Sequence, residues 1–195
     1  GLRTIASGDM LLNGKKLHFS NAQDAMDYNF ALVTEERKFN GMFGKATIKF
    51  NTVISNLDAN KTCGVLSNRK MQEAADREIK TMHTKCVSAD ELISALSGGN
   101  QQKVVIAKWL GMKPRLVILD EPTRGIDVGA KKDIYDLMNR LTEQGVSIIM
   151  VSSELPEIIG MSDRIMVIHE GSVAGIIDGQ DATQERVITL ATGGM

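Results

Sequence analysis

Cysteine is scarce in this sequence: Cys63 and Cys86 are the only two, they form no C-x-x-C pair, and neither stands beside a pair of histidines. A zinc site is therefore not expected, and buried or free thiols suit a reducing cytosol. An excess of one charge is missing too. The formal net charge is -1, whereas a protein whose main partner is nucleic acid normally carries a basic excess, so nucleic acid is not expected as a partner. No apolar stretch approaches the roughly 20 residues that span a bilayer, and no signal-peptide pattern opens the chain. Any work at a membrane is expected from the cytoplasmic side, through a partner. The chain opens Gly1-Leu2-Arg3 without an initiator methionine, and nowhere does it contain G-x-x-x-x-G-K-[ST]. That loop uses backbone N–H groups and a lysine to cradle a nucleotide's phosphates. The expectation is a truncated chain, a fragment of a longer protein. It shows no internal repeat.

At 43% hydrophobic over 195 residues, the sequence can core one domain, or one domain with a small subdomain. The stretch that organises it is LVILDE, Leu116–Glu121, an apolar run ending abruptly in two carboxylates. Such a run suits a strand buried on both faces of a parallel sheet, and a buried strand must leave its charges at its tip. In open α/β sheets that edge is where ligands bind, so Asp120 and Glu121 are expected to face a crevice.

The surrounding pattern is α/β. Asn13-Gly14 predicts a two-residue hairpin within Met10–Phe19. Ser20 or Asn21 caps a short helix, Ala22–Tyr28, followed by a strand, Phe30–Val33. Gly41 and Gly44 mark a loop before a helix over Thr47–Leu57. From Ser67 to Lys85, Met71, Ala74, Ala75, Ile79 and Met82 share one helical face. His83 on that helix reads as a surface residue. In LSGGNQQKVVIAKWL, Leu96–Leu110, Ser97, Gly98 and Gly99 open a helix that Val104, Val105, Ile106, Trp109 and Leu110 bury. Orphan N–H groups and the positive dipole end favour an anion at such a terminus, and glycines let a phosphate approach the backbone. Ile134, Leu137, Met138 and Leu141 stripe a further helix that stops at Gly145, before a buried strand over Val146–Val151. Strands Arg164–His169 and Ser172–Ile177 flank a turn at Gly171, and Asp181–Ala191 makes a last helix.

LSGGNQQ, LVILDEP and Gly125-Ile126-Asp127, in this order and spacing, resemble the signature motif, Walker B strand and D-loop of the nucleotide-binding subunits of ABC transporters. ALVTEERK (Ala31–Lys38), DEPTRGIDVGAK (Asp120–Lys131) and VSSELPEIIGMSDRI (Val151–Ile165) resemble the second ATP-binding half of bacterial sugar importers whose two ATPase halves are fused in one polypeptide. The resemblance covers nearly the whole chain. It implies a P-loop NTPase-like ABC ATPase core, mostly parallel sheet with flanking helices and an antiparallel hairpin. Residues 1–38 and 113–195 would form that core, and about 39–112 a helical subdomain carrying the signature.

The resemblance also assigns roles. ATP and magnesium are the implied cofactors, with Asp120 ordering the metal's water shell and Glu121 polarising the attacking water. Ser97, Gly98, Gly99 and Asn100, the last standing where the family usually has glutamine, would touch the nucleotide bound to the opposite half, with Asp127 beside them. Glu35 stands at the place of the family's Q-loop glutamine, and Ser153 at the place of the histidine that holds the γ-phosphate. Both departures imply an impaired site of this half's own, and the chain by itself is expected not to turn over ATP. The implied partners are the other ATPase half or a second copy, membrane permease subunits and, indirectly, a periplasmic sugar-binding protein. The implied place is the cytoplasmic face of the inner membrane, peripherally. Two other readings stay open: a mainly regulatory or scaffold half, and a soluble ABC ATPase outside transport.

Overall fold

Asn13 (φ 50°) and Gly14 (φ 76°) both occupy the left-handed region, the backbone that a two-residue hairpin turn requires. In the computed structural model, which describes residue 3 and residues 5–194, they join β1 (Met10–Leu12) to β2 (Lys15–Leu17) in the expected antiparallel register, Met10 opposite Leu17. Asn21 then caps α1 (Ala22–Asp27): its side chain accepts from the Asp24 amide at 3.1 Å, and the Asp24 carboxylate accepts from the Asn21 amide at 3.3 Å. This reciprocal box satisfies two orphan donors and delivers the chain into β3 (Phe30–Val33).

The chain divides into two compact units, residues 1–149 and 150–195. A three-stranded sheet is ordered β3, β6 (Leu116–Asp120), β7 (Ser147–Val151), its first two strands lying in the first unit and β7 spanning the boundary at 149/150. β3 and β6 run parallel, with Phe30 beside Leu116 and Val33 beside Leu119. Val33, Val117 and Leu119 are sealed from solvent, while Leu116 and Ile118 are half-buried, so β6 is covered more fully on one face than on the other. The buried strand expected at 146–151 is instead a sheet edge, with Ile149 and Val151 each about half exposed. An apolar run reports a capacity for burial on both faces and does not supply the covering layer.

Between β3 and β6 lies a helical segment. A π-helical turn, Arg37–Gly41, leads to α2 (Ile48–Val53), which Thr47 caps by accepting from the Phe50 amide at 3.1 Å. The expected longer helix gives way to two 3-10 turns, Ile54–Asn56 and Asp58–Asn60. A small hairpin follows, β4 (Lys61–Thr62) and β5 (Val65–Leu66), then α3 (Asn68–Thr81), capped by Ser67. Helix α4 (Gly98–Leu110) packs against α2 and α3 through Ile48, Ile93, Leu96 and Val104, with Ile79 and Cys86 at the margin. Each large aliphatic side chain removed from water here contributes about 1.5–3 kcal/mol.

Helix α4 is buried far beyond its apolar residues. Gln101, Gln102, Lys103 and Lys108 are buried as well. Gln101 donates to the Ile93 and Leu96 carbonyls. Lys103 Nζ donates to Asp133 at 2.7 Å and to the His83 carbonyl at 3.1 Å, and Lys108 Nζ donates to the Gly41 carbonyl at 2.7 Å. Burying these cations is tolerable only because each ammonium meets an acceptor. Helix α5 (Val128–Glu143) then buries Ile134, Leu137, Met138 and Leu141, and Gly145 (φ 84°) follows its end, as the stripe predicts.

In the second unit, α6 (Leu155–Met161) precedes an antiparallel pair, β8 (Arg164–His169) and β9 (Ser172–Asp178), turned at Gly171, and α7 (Gln184–Ala191) closes it. Ile165, Val167, Ile177 and Val187 form its core, with Leu155, Ile158 and Leu190 packed around them. A Cβ at Gly175 would lie 2.8 Å from Leu190 Cδ1, so the missing side chain lets α7 settle onto β9. No helix among the described residues is long and apolar enough to cross a membrane.

Candidate functional site

Because β3 and β6 are parallel and in register, the segments that follow Val33 and Leu119 leave the same sheet edge. Asp120 is the last residue of β6 and is half-buried. Glu121 follows in the left-handed region (φ 47°), uncommon for a residue with a long side chain and a mark of backbone constrained by its surroundings. Arg124 donates its amide to the Glu121 carbonyl at 3.1 Å, and Gly125 (φ 68°) reverses the chain. Thr123 is fully buried, its hydroxyl without a hydrogen-bond partner. Asp127 caps α5, accepting from the Ala130 amide at 3.0 Å. A carboxylate at a helix N-terminus satisfies an orphan donor and complements the dipole.

The turn after β3 grips this loop. Glu35 forms an ion pair with the guanidinium of Arg124. Two residues on, Arg37 Nη1 donates to the Arg124 carbonyl at 3.1 Å and Nη2 to the Gly125 carbonyl at 3.5 Å. Arg124 is thus held by its side chain and by its backbone from one short stretch of sequence. The sequence pattern singles out Glu35 and gives Arg37 no part, since E-E-R-K reads as a solvated turn.

The N-terminus of α4 meets the same place. A Cβ on Gly98 would lie 2.8 Å from Arg37 Nη2 and 3.2 Å from the Gly125 carbonyl oxygen, while one on Gly99 would overlap the Cβ of Ala130 on α5. Both glycines therefore have a packing requirement within the chain, beyond any approach of a phosphate. Ser97 does not cap the helix with its hydroxyl, which accepts from Asn100 Nδ2 at 3.0 Å. Asn100 Oδ1 in turn accepts from the Lys85 amide at 2.9 Å, tying the helix start to the end of the α3 region. The Ser97 side chain thus leaves the first N–H groups of α4 uncapped.

Ser97, Gly98, Gly99, Glu35, Asp120, Glu121 and Asp127 thus cluster within the first unit, Asn100 bracing the cluster from α4. Ser153 belongs to the second unit, exposed, just past β7. Beside it, Ser152 donates to the buried Glu157 and accepts from the Glu154 amide at 3.1 Å. His83 is exposed at the end of α3, as expected of a surface histidine. Trp109 lies beneath Lys108, whose ammonium is 4.9 Å from the ring centroid. Burial holds the Lys108 amine below the ordinary lysine value. Among the described residues no group of three or more His, Cys, Asp or Glu could hold a metal unaided. Two adjacent carboxylates suit a hydrated divalent cation that takes its other ligands from phosphate and water.

The family model described as ABC transporter matches residues 1–124. The chain is 56% identical over 191 residues to the galactose/methyl galactoside import ATP-binding protein MglA of Treponema denticola, covering 98% of this chain and 38% of that protein. It is 49% identical over 194 residues to the ribose import ATP-binding protein RbsA of Bacillus cereus, covering 100% of this chain and 39% of that one. The chain thus spans about two-fifths of the length of the curated relatives it matches. Among solved structures, the ATP-binding cassette MJ0796 bound to ADP and Pi superposes with a TM-score of 0.74 at 22% identity, over 91% of this chain and 75% of that one. CbiO1 from Clostridium perfringens gives a TM-score of 0.74 at 23% identity, over 96% and 72%. At those identities the likeness is one of fold.

Proposed function

Since the chain belongs to the ABC transporter family, we propose that it is the C-terminal ATPase half of a bacterial sugar importer, coupling ATP binding and hydrolysis to carbohydrate uptake. In this reading residues 1–38 and 113–195 serve as the core and about 39–112 as the helical subdomain. The observation that carries the reading is the convergence of the loops after β3 and β6 with the N-terminus of α4 on one sheet edge. The names of the MglA and RbsA relatives support the carbohydrate class.

Bound magnesium ATP would supply the phosphoryl group and the charge neutralisation that its transfer to water demands. Asp120, at the tip of β6, would hold the ion through water. Glu121, whose backbone lies in the left-handed region, would polarise the attacking water. Ser97, Gly98 and Gly99 would present backbone N–H groups to the γ-phosphate of a nucleotide held by the other half, with Asn100 bracing that turn and Asp127 bordering it. Ser153, matching in sequence the family's γ-phosphate histidine, would offer a hydroxyl in place of an imidazole.

One observation favours a second emphasis, a half that mainly completes its partner's site. Glu35, at the position of the Q-loop glutamine, is occupied by Arg124. The expected partners are the other ATPase half, the permease and, indirectly, a periplasmic binding protein, with the protein peripheral on the cytoplasmic face of the membrane. The test is reconstitution of the full-length protein with its permease in proteoliposomes. The expected result is magnesium-dependent ATP hydrolysis that rises with sugar-loaded binding protein and accompanies uptake of labelled sugar. Hydrolysis by a protein that never copurifies with a permease would overturn the transport reading.

A further inference from the structure

We propose that Arg37 is a positioning residue that locks three segments into one body: the turn after β3, the loop 121–127 and the N-terminus of α4. Its guanidinium reaches forward to the carbonyls of Arg124 and Gly125. The same group fills the space that a side chain at residue 98 would need, with Nη2 2.8 Å from that Cβ position, and Nη1 is 3.9 Å from the Cβ position of Gly125. One planar fork therefore touches the reversing loop twice and sets how near the α4 terminus stands to it. A guanidinium can do this because its donors are fixed in one plane, whereas an ammonium on a flexible stem presents a single point of charge.

The anchorage of Arg37 is reciprocal. The Arg124 side chain returns to Glu35, so the two loops are crossed by one ion pair and two charge-assisted hydrogen bonds. Behind it, the π-helical turn that Arg37 begins ends at Gly41, whose carbonyl accepts from Lys108 of α4, and whose missing Cβ would lie 3.3 Å both from Arg37 Cβ and from Val105 Cγ1. The turn is thus pinned to the loop 121–127 at one end and to the C-terminal half of α4 at the other. A shift of α4 must drag the loop 121–127 with it as long as the fork holds. This coupling stands on the contacts alone; its consequence for ATP turnover rests on the function proposed above.

The test is hydrogen exchange by mass spectrometry on the full-length protein with Arg37→Met and Arg37→Lys, alongside steady-state ATP hydrolysis. Arg37→Met is expected to speed exchange at least tenfold both in the loop 121–127 and at residues 98–100, with α3 unchanged. Arg37→Lys, keeping the charge without the fork, is expected to fall between. Faster exchange confined to residues 37–41 would overturn the proposal, and so would wild-type exchange in Arg37→Lys, which decides the matter by itself if the Met variant does not fold. In turnover, kcat is expected to fall at least tenfold with KM for ATP changed less than twofold, and restored in part by Lys. A kcat loss with exchange unchanged would make Arg37 a direct participant and overturn the positioning role. Absence of turnover in the wild type would count against the ATPase reading and leave the exchange result to decide the coupling.

Discussion

Gly99 faces Ala130 across the junction of α4 and α5 so closely that a Cβ on Gly99 would overlap the Cβ of Ala130. Gly99→Ala should therefore push two helices apart in a packed region, where one added carbon costs about 1–3 kcal/mol. Gly98→Ala should cost less than Gly99→Ala, because its nearest neighbour is the end of a long side chain that can give way, at the expense of the Arg37 bonds to the loop. Thermal unfolding of the two variants gives the ordering, and equal losses would count against a backbone-limited contact at Gly99.

The proposed sharing of sites predicts an order of damage. In Gly98→Asp a carboxylate enters a space already bounded by Arg37 and the Gly125 carbonyl, and it places like charge where a partner's γ-phosphate is expected. ATP hydrolysis and sugar uptake by the full-length protein should fall by about two orders of magnitude or more, roughly 2.7 kcal/mol of barrier. Glu121→Gln touches this half's own site, whose Glu35 is tied up by Arg124, and should leave much more activity. Equal or greater damage from Glu121→Gln in reconstituted membranes would mean that this half hydrolyses ATP in its own right.

Asp133 titrates below the ordinary aspartate range because its carboxylate accepts a hydrogen bond from Lys103. A depressed folded-state pKa contributes stability that is complete above the unfolded value and lost as pH falls through the folded one. Asp133 is half exposed, so screening limits the contribution to about 1 kcal/mol. Asp133→Asn should therefore be destabilised by up to that amount near neutrality, and the difference should shrink as pH drops below about 4. Denaturant midpoints measured at both pH values check it.

Lys108 gives the opposite test at alkaline pH. Burial lowers its pKa from 10.5, so between the folded value and 10.5 the unfolded chain binds more protons than the folded one. Stability relative to Lys108→Met should rise with pH through that window, by no more than about 1.4 kcal/mol per pH unit. A flat difference would show that the ammonium is as well solvated as in the unfolded chain.

Local chemistry made much of this legible in advance. Asn13-Gly14 specifies its hairpin through positive φ, Asn21 specifies the start of α1 through its side chain, and the Ile134 to Leu141 stripe specifies the buried face of α5. The β4–β5 hairpin escaped notice because its strands are two residues each and Cys63, an unusual occupant, takes a left-handed turn position (φ 50°). The short helix α6 escaped as well, its apolar spacing too brief to show a period. At the site, motif spacing located the carboxylates and the glycines, but the role of Arg37 depends on a carbonyl 87 residues away. No periodicity carries information of that range. The burial of Lys103 and Lys108 on α4 was hidden for the same reason, since their acceptors come from other elements.

The parallel pairing of β3 with β6 also sets a schedule for the newborn chain. Phe30 and its partner Leu116 lie roughly 85 residues apart, so at synthesis rates of about 5–20 residues per second β3 waits some 4–17 s for the strand that flanks it. During that interval the intervening helices can fold on local contacts and draw the two strand segments together, which shortens the loop whose closure the sheet must meet. The helical segment that carries the α4 terminus would then be made, and free to fold, before the sheet can close.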